Sequence, residues 1–153
     1  MDVLSFEQML LEVEDRRQRW DRFGMELAET VARKSKDPST KVGAVLMDQD
    51  NNVVSVGYNG FPRHVRDYED RYADRETKYK FVVHAELNAV LRSKAIDTDV
   101  LTLYCTLSPC NECAKAIIQA GNITRVVYKE LRQNDVTDQM FEEALISMEP
   151  LGD

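Results

Sequence analysis

The 153-residue chain is poor in histidine, with two, and in cysteine, with three. Long apolar runs, internal repeats, low-complexity stretches and interdomain linkers are missing, and cations are outnumbered. Each shortage excludes something. No apolar stretch approaches the ~20 residues of a membrane-spanning helix, so a membrane partner is set aside. The opening MDVLSFEQML has no basic segment ahead of an apolar one and no small-residue cleavage site, so it reads as neither a signal nor a transit peptide and the cytosol is expected. Cys105, Cys110 and Cys113 are odd in number in a chain without an export signal, which favours metal binding over a disulfide framework. Lys and Arg number 20 against 27 Asp and Glu, a net charge of −7. A polymer of phosphates is usually gripped by a basic face, so nucleic acid is not the expected main partner. A small phosphorylated ligand, which needs only a few N–H groups and one or two cations, stays open.

What is present suits one domain spanning residues 1–153, with 43% hydrophobic and 31% charged residues. Phe6 to Ala32 reads as a helix whose apolar face carries Trp20, Phe23, Leu27 and Val31. Val42 to Met47 and Val53 to Tyr58 read as an antiparallel hairpin across the turn-rich QDNN. From Asn59 to Lys80 runs a long charged and aromatic segment with turn signals at Asn59, Gly60 and Pro62, and loops of that length are usually functional or partly disordered. HAELNAVLRSKA then reads as a helix, VLTLYCTL as a strand, and SPCNECAKAIIQAG as a helix with Ser108 as N-cap, Pro109 at its first position and Gly121 past its end. RVVYKE is a further strand and VTDQMFEEALISM a last helix. Strands alternating with helices after a hairpin predict an α/β layered domain, a mixed sheet covered by helices.

Two short motifs carry the chemistry. Cys110 and Cys113 stand at C-x-x-C spacing, and residues three apart in a first helical turn share a face, so both thiolates can reach one ion. His84 opens the preceding helix, and parallel β-α-β-α packing would bring both helix starts to one sheet edge. A structural zinc asks for a fourth protein ligand, whereas three ligands and an open position define a catalytic one. Alone, an H-x-E tripeptide arises by chance, and a C-x-x-C can be a redox pair. A redox pair has no need of a histidine and a glutamate at a second helix start. Together, H-x-E followed by P-C-x-x-C matches the zinc-deaminase signature. Zinc lowers the pKa of bound water toward ~7, and Glu86, two residues past His84, is placed to take that proton, pass it to a ring nitrogen and protonate a departing amine. The reaction class is hydrolytic deamination. Cys105, inside a strand and expected across the sheet plane, reads as a small buried hydrophobe, and His64 as a surface residue.

HAELNA and PCNECAKAIIQAG, with SKDPSTKVGA and GYNGFP, resemble the deoxycytidylate deaminases from about Trp20 to Lys129. The resemblance implies the cytidine-deaminase-like fold, a three-layer α/β/α arrangement. The family commonly continues past SMEPLGD into another short strand, so the sheet is expected to hold four or five strands. It also implies Zn²⁺ at His84, Cys110 and Cys113, Glu86 as proton shuttle, and Asn59 and Ala85 at the nucleotide. Conversion of dCMP to dUMP for thymidylate synthesis follows from it, in a homo-oligomer of hexameric type activated by dCTP and inhibited by dTTP. Gly57, Tyr58 and Gly60 are then candidates for a regulatory nucleotide site, with Mg²⁺ accompanying the triphosphate, and Arg63, Arg66, Arg71, Arg75 and Lys78 either supply cations to it or belong to a solvated surface loop balanced by Asp67, Glu69, Asp70, Asp74 and Glu76. The segment from Arg63 to Lys80 holds no cysteine and one histidine, so the accessory second zinc of some phage members is not expected. A tRNA adenosine deaminase shares both motifs but would need a basic groove. A noncatalytic zinc module would have no use for Glu86.

Overall fold

A computed structural model of the chain describes residues 5–152. Residues 1–4, part of the opening stretch, and residue 153, where the expected domain ends, lie outside the described residues. Strands β1 (Gly43–Met47), β2 (Val53–Tyr58), β3 (Leu101–Leu107), β4 (Ile123–Glu130) and β5 (Ser147–Pro150) form one sheet in the order β2-β1-β3-β4-β5. β1 is antiparallel to β2 and β3, and β3, β4 and β5 are parallel. The alternation of side chains along each strand builds two cores. Ala44, Leu46, Leu103, Cys105 and Val126 face α4 (Ala85–Leu91), α5 (Asn111–Ala120) and α6 (Asp135–Glu143), while Val45, Met47, Tyr104 and Val127 face α1 (Phe6–Ala32). The result is the three-layer α/β/α arrangement with five strands.

Several elements depart from what the sequence suggests. α1 opens with a Ser5–Gln8 capping box and docks not through Trp20 and Phe23 but through Asp21, Gly24, Met25, Ala28 and Ala32. Trp20 and Phe23 instead pack edge-on against each other on an exposed face. Leu27 and Val31 of the expected stripe do pack against the α1-side core, and a polar anchor takes the place of the other two: buried Asp21 accepts from the Tyr104 hydroxyl at 2.8 Å and from Arg125 Nη1 at 2.7 Å, and Arg125 Nε also donates to Glu149 at 2.8 Å. A buried carboxylate is tolerable only with such partners. The segment expected to be a long loop folds into two short helices, α2 (Glu69–Ala73) and α3 (Arg75–Phe81), the second capped by Asp74. α4 stops at Leu91, short of Ala95. α6 stops at Glu143, where Leu145 reverses the chain at a φ of 59° and frees Ser147 to Pro150 for the fifth strand.

β2 and β3 are each antiparallel to β1 and so run in the same direction. α4 follows β2 and α5 follows β3, which brings the starts of both helices to one sheet edge. Gly57 lets α4 lie that close to β2. A Cβ there would stand 2.3 Å from the Ala85 carbonyl oxygen and 2.5 Å from the Ala89 nitrogen.

Candidate active site

His84 is the extended residue that caps α4, so its imidazole projects from the helix start. Cys110 caps α5 in place of Ser108. Its sulfur accepts from the Cys113 N–H at 3.5 Å, and Cys113 lies in the first turn. His84 Nδ1 is 3.4 Å from each sulfur, and the three donor atoms all lie within 4.8 Å of one another. Ligands about 2.1 to 2.3 Å from a tetrahedral zinc stand about 3.5 to 3.8 Å apart, so the triangle fits that ion. The charges fit it too. Hydrogen bonding from the Cys113 thiol outweighs burial and, with His84, pulls the Cys110 thiol down to about 3. The thiolate so formed, together with burial, pushes Cys113 strongly up, and it also raises His84. Two thiolates here need a cation between them, which a divalent ion supplies.

Glu86, in the first turn of α4, is 4% exposed. Burial pushes its carboxyl above the ordinary carboxylate range, an effect opposed by hydrogen bonding from Cys113. Glu86, His84, Ala85 and Cys110 line a cleft of about 550 Å³, counted out to open solvent, whose other walls include Asp37, Thr40, Asn59, Lys78, Tyr79, Ser108 and Arg132.

Asn59 is buried, and its amide is committed to the loop opposite α4. Its Nδ2 donates to the Thr40 carbonyl at 2.9 Å and to Asp37 at 3.5 Å, while its Oδ1 accepts from the Val42 N–H at 2.8 Å. Asp37 accepts from the Ser39 and Thr40 N–H groups and pairs with Lys78 at 3.1 Å, the carboxylate buried and the Lys78 side chain 12% exposed. Burial would raise the Asp37 carboxyl, but these donors and the ammonium hold it below the ordinary range. Buried Ser108 turns away from helix capping. Its hydroxyl accepts from the Arg132 N–H at 2.6 Å and so ties the β4–α6 loop to the rim of the cleft.

The structure brings together His84, Glu86, Cys110, Cys113, Ala85 and Asn59. Gly57, Tyr58 and Gly60 lie outside the cleft lining: Gly57 is packed under α4, the Tyr58 carbonyl accepts from Asn88 Nδ2, and Gly60 bridges to Val83. Cys105 is fully buried, but it faces the α4 and α5 side of the sheet rather than the opposite one. His64 is exposed. Of the charged segment, Arg71 stacks over Tyr68 and Phe81, and Arg75 donates to the Tyr79 hydroxyl. Asp37, Thr40 and Arg132 escaped sequence reasoning because loops bring them to the cleft with no spacing rule. The one visible hint was that KDPST is a turn-rich segment next to a strand.

Residues 18–130 match the family model described as the cytidine and deoxycytidylate deaminase zinc-binding region. A Drosophila melanogaster protein named "Probable deoxycytidylate deaminase" is 44% identical over 119 residues, which are 71% of this chain and 58% of that protein. Human deoxycytidylate deaminase is 38% identical over 134 residues, 84% of this chain and 75% of that one. Among solved structures, the apo dCMP deaminase from the cyanophage S-TIM5 superposes with a TM-score of 0.70 at 28% identity, covering 85% of this chain and 95% of that one. The matched stretch thus spans less than two thirds of the fruit-fly relative's length. No helix among the described residues is long and apolar enough to cross a membrane. A family match over most of the chain, joined to an imidazole and two thiols meeting at one point, makes this protein a member of the zinc-binding cytidine and deoxycytidylate deaminase family.

Proposed function

We propose that the protein catalyses hydrolytic deamination of dCMP to dUMP and ammonia, feeding thymidylate synthesis, with zinc held by His84, Cys110 and Cys113. The observation that carries this reading is a buried carboxyl, Glu86, beside a three-donor cluster on the wall of an open cleft. Three donors leave one position for chemistry, and Glu86 is not needed to hold the ion. Zinc held by His84, Cys110 and Cys113 would supply the Lewis acidity that makes water a nucleophile at neutral pH. Glu86 takes one proton from the attacking water as the C4–O bond forms and hands it to N3. It then carries the remaining hydroxyl proton to the exocyclic amine, the C4–N bond breaks, and ammonia leaves a carbonyl behind. A carboxyl raised by burial suits a group that must accept and then donate.

The substrate is a monophosphate in this reading, as in the names of the fruit-fly, human and cyanophage relatives. Ala85 borders the base, and Asn59 shapes the opposing wall through the loop it orders. Lys78 is neutralised by Asp37, whereas Arg132 has no acidic partner among the described residues and is the cation for the 5′-phosphate. The reading extends to a cytosolic homo-oligomer, a hexamer, activated by dCTP and inhibited by dTTP with Mg²⁺. Arg63 and Arg66, unpaired among the described residues, would serve the triphosphate near Gly57, Tyr58 and Gly60. Each effector must then bind the active and inactive forms with different affinity. The test is ammonia release across cytosine and adenine nucleosides, nucleotides and oligonucleotides. dCMP is expected to be the best substrate, and preference for an adenine compound or an oligonucleotide would overturn the reading.

A further inference from the structure

α1 is 27 residues long, yet only its second half belongs to the sheet. The family match begins at residue 18, every residue from Ser5 to Arg17 is exposed, and the first buried residue is Asp21. The first 12 residues of α1 therefore extend about 18 Å before the buried part begins, tied to the sheet among the described residues through the Arg17–Glu149 pair. Helices of that length are marginal in water without a packing partner. This one carries large apolar side chains on one stripe: Phe6 is 74% exposed, Met9 51%, Val13 54% and Trp20 41%. Phe6, Val13 and Trp20 are seven residues apart, the spacing of a coiled-coil seam.

We propose that this helix is an interface between two copies of the chain, α1 pairing antiparallel with the α1 of a second copy about a two-fold axis at Val13. The stripe is symmetric about that residue. Phe6 lies seven positions before it and Trp20 seven after, so the antiparallel pair sets Phe6 on the second copy's Trp20 and Val13 on Val13. The charges choose the same direction. Residues 7–15 contain Glu7, Glu12, Glu14 and Asp15 and no cation, whereas residues 16–22 contain Arg16, Arg17, Arg19 and Arg22 against Asp21 alone. A parallel pair would oppose like charges along its whole length, whereas the antiparallel pair sets residues 7–10 of one copy opposite the basic stretch 16–19 of the other, with residues 11–15 facing their own counterpart across the axis. Glu12 and Arg16 flank Val13 on one side of the stripe, and neither makes an ion pair within its own chain among the described residues. Across the axis each meets the other's counterpart, giving two reciprocal pairs as an isologous contact requires.

The proposal does not depend on the reaction, since none of these residues lines the cleft. Mild oxidation of the Val13→Cys variant should give a covalent dimer, while Leu11→Cys, on the far side of the helix, and the wild type should not. In sedimentation, Val13→Glu should at least halve the assembled mass with zinc content unchanged. Glu12→Arg and Arg16→Glu should each weaken self-association by about tenfold, and the double variant should restore it. Cross-linking of Val13→Cys no better than of Leu11→Cys, or an assembled mass unmoved by Val13→Glu, would overturn the proposal. So would a wild type monomeric at the concentrations used, which would leave the stripe to a membrane or another protein.

Discussion

At the scale of single residues, the proposed chemistry depends on two side chains that are not among the three donors. Glu86→Gln is nearly isosteric and leaves all three donors in place, so zinc content and fold should stay at wild-type levels. Turnover should fall by about 10³, because both proton transfers need a carboxyl. Metal analysis beside a dCMP rate assay separates the two readouts, and near wild-type turnover would remove Glu86 from the mechanism. Arg132→Ala removes a charge-assisted contact without disturbing the backbone bond to Ser108. It should raise KM for dCMP by about tenfold or more while leaving kcat/KM for deoxycytidine, which has no phosphate, nearly unchanged. An equal loss on both substrates would contradict its role at the phosphate. His84, Cys110 and Cys113 were legible in the sequence because the residue types are rare and the spacing is set by a helical turn. Arg132 was not. Its place is fixed by a hydroxyl 24 residues away that looks like a helix cap, and only the fold shows that Ser108 holds the neighbouring loop instead.

At the scale of elements, α1, β4 and β5 are held together by one ionic cluster. Arg125 on β4 joins Asp21 on α1 to Glu149 on β5, and Arg17 also reaches Glu149, at 3.1 Å. Burial would raise the Glu149 carboxyl, but Arg125, Ser147 and Arg17 hold it below its ordinary range. A folded-state pKa below the unfolded value contributes stability that is present above about pH 4.3, the unfolded value, and lost as pH falls through the folded one. Melting temperature should therefore drop more steeply in acid for the wild type than for Glu149→Gln, which is weaker at neutral pH but has no carboxyl to protonate there. Parallel melting curves for the two from pH 7 down to pH 3 would contradict this. The same cluster sets which part of the α1 face docks: Leu27 and Val31 pack on the core while Trp20 and Phe23 stay exposed. Periodicity singles out Trp20 and Phe23, whereas a buried aspartate with an arginine 104 residues away decides the docking. α2 and α3 were too short, and too mixed in charge and aromatics, for any period to show. β5, four residues ending in a proline, was too short to announce itself.

At the scale of the whole molecule, alternating strands and helices were enough to expect a mixed sheet between helix layers, because that order leaves few ways to bury every apolar face. Which edge carries chemistry follows from topology: two crossover helices begin at the same side of the sheet, one bringing His84 and Glu86 and the other Cys110 and Cys113. In the proposed function these groups form a single zinc-dependent site that deaminates dCMP. The most direct measurement is a titration of chelator-stripped protein with zinc, following ammonia release from dCMP against zinc bound per chain. Turnover should be absent in the stripped protein, rise in proportion to bound metal and level off at one zinc per chain. Full turnover by the stripped protein, or zinc binding that brings no ammonia from dCMP, would contradict the account.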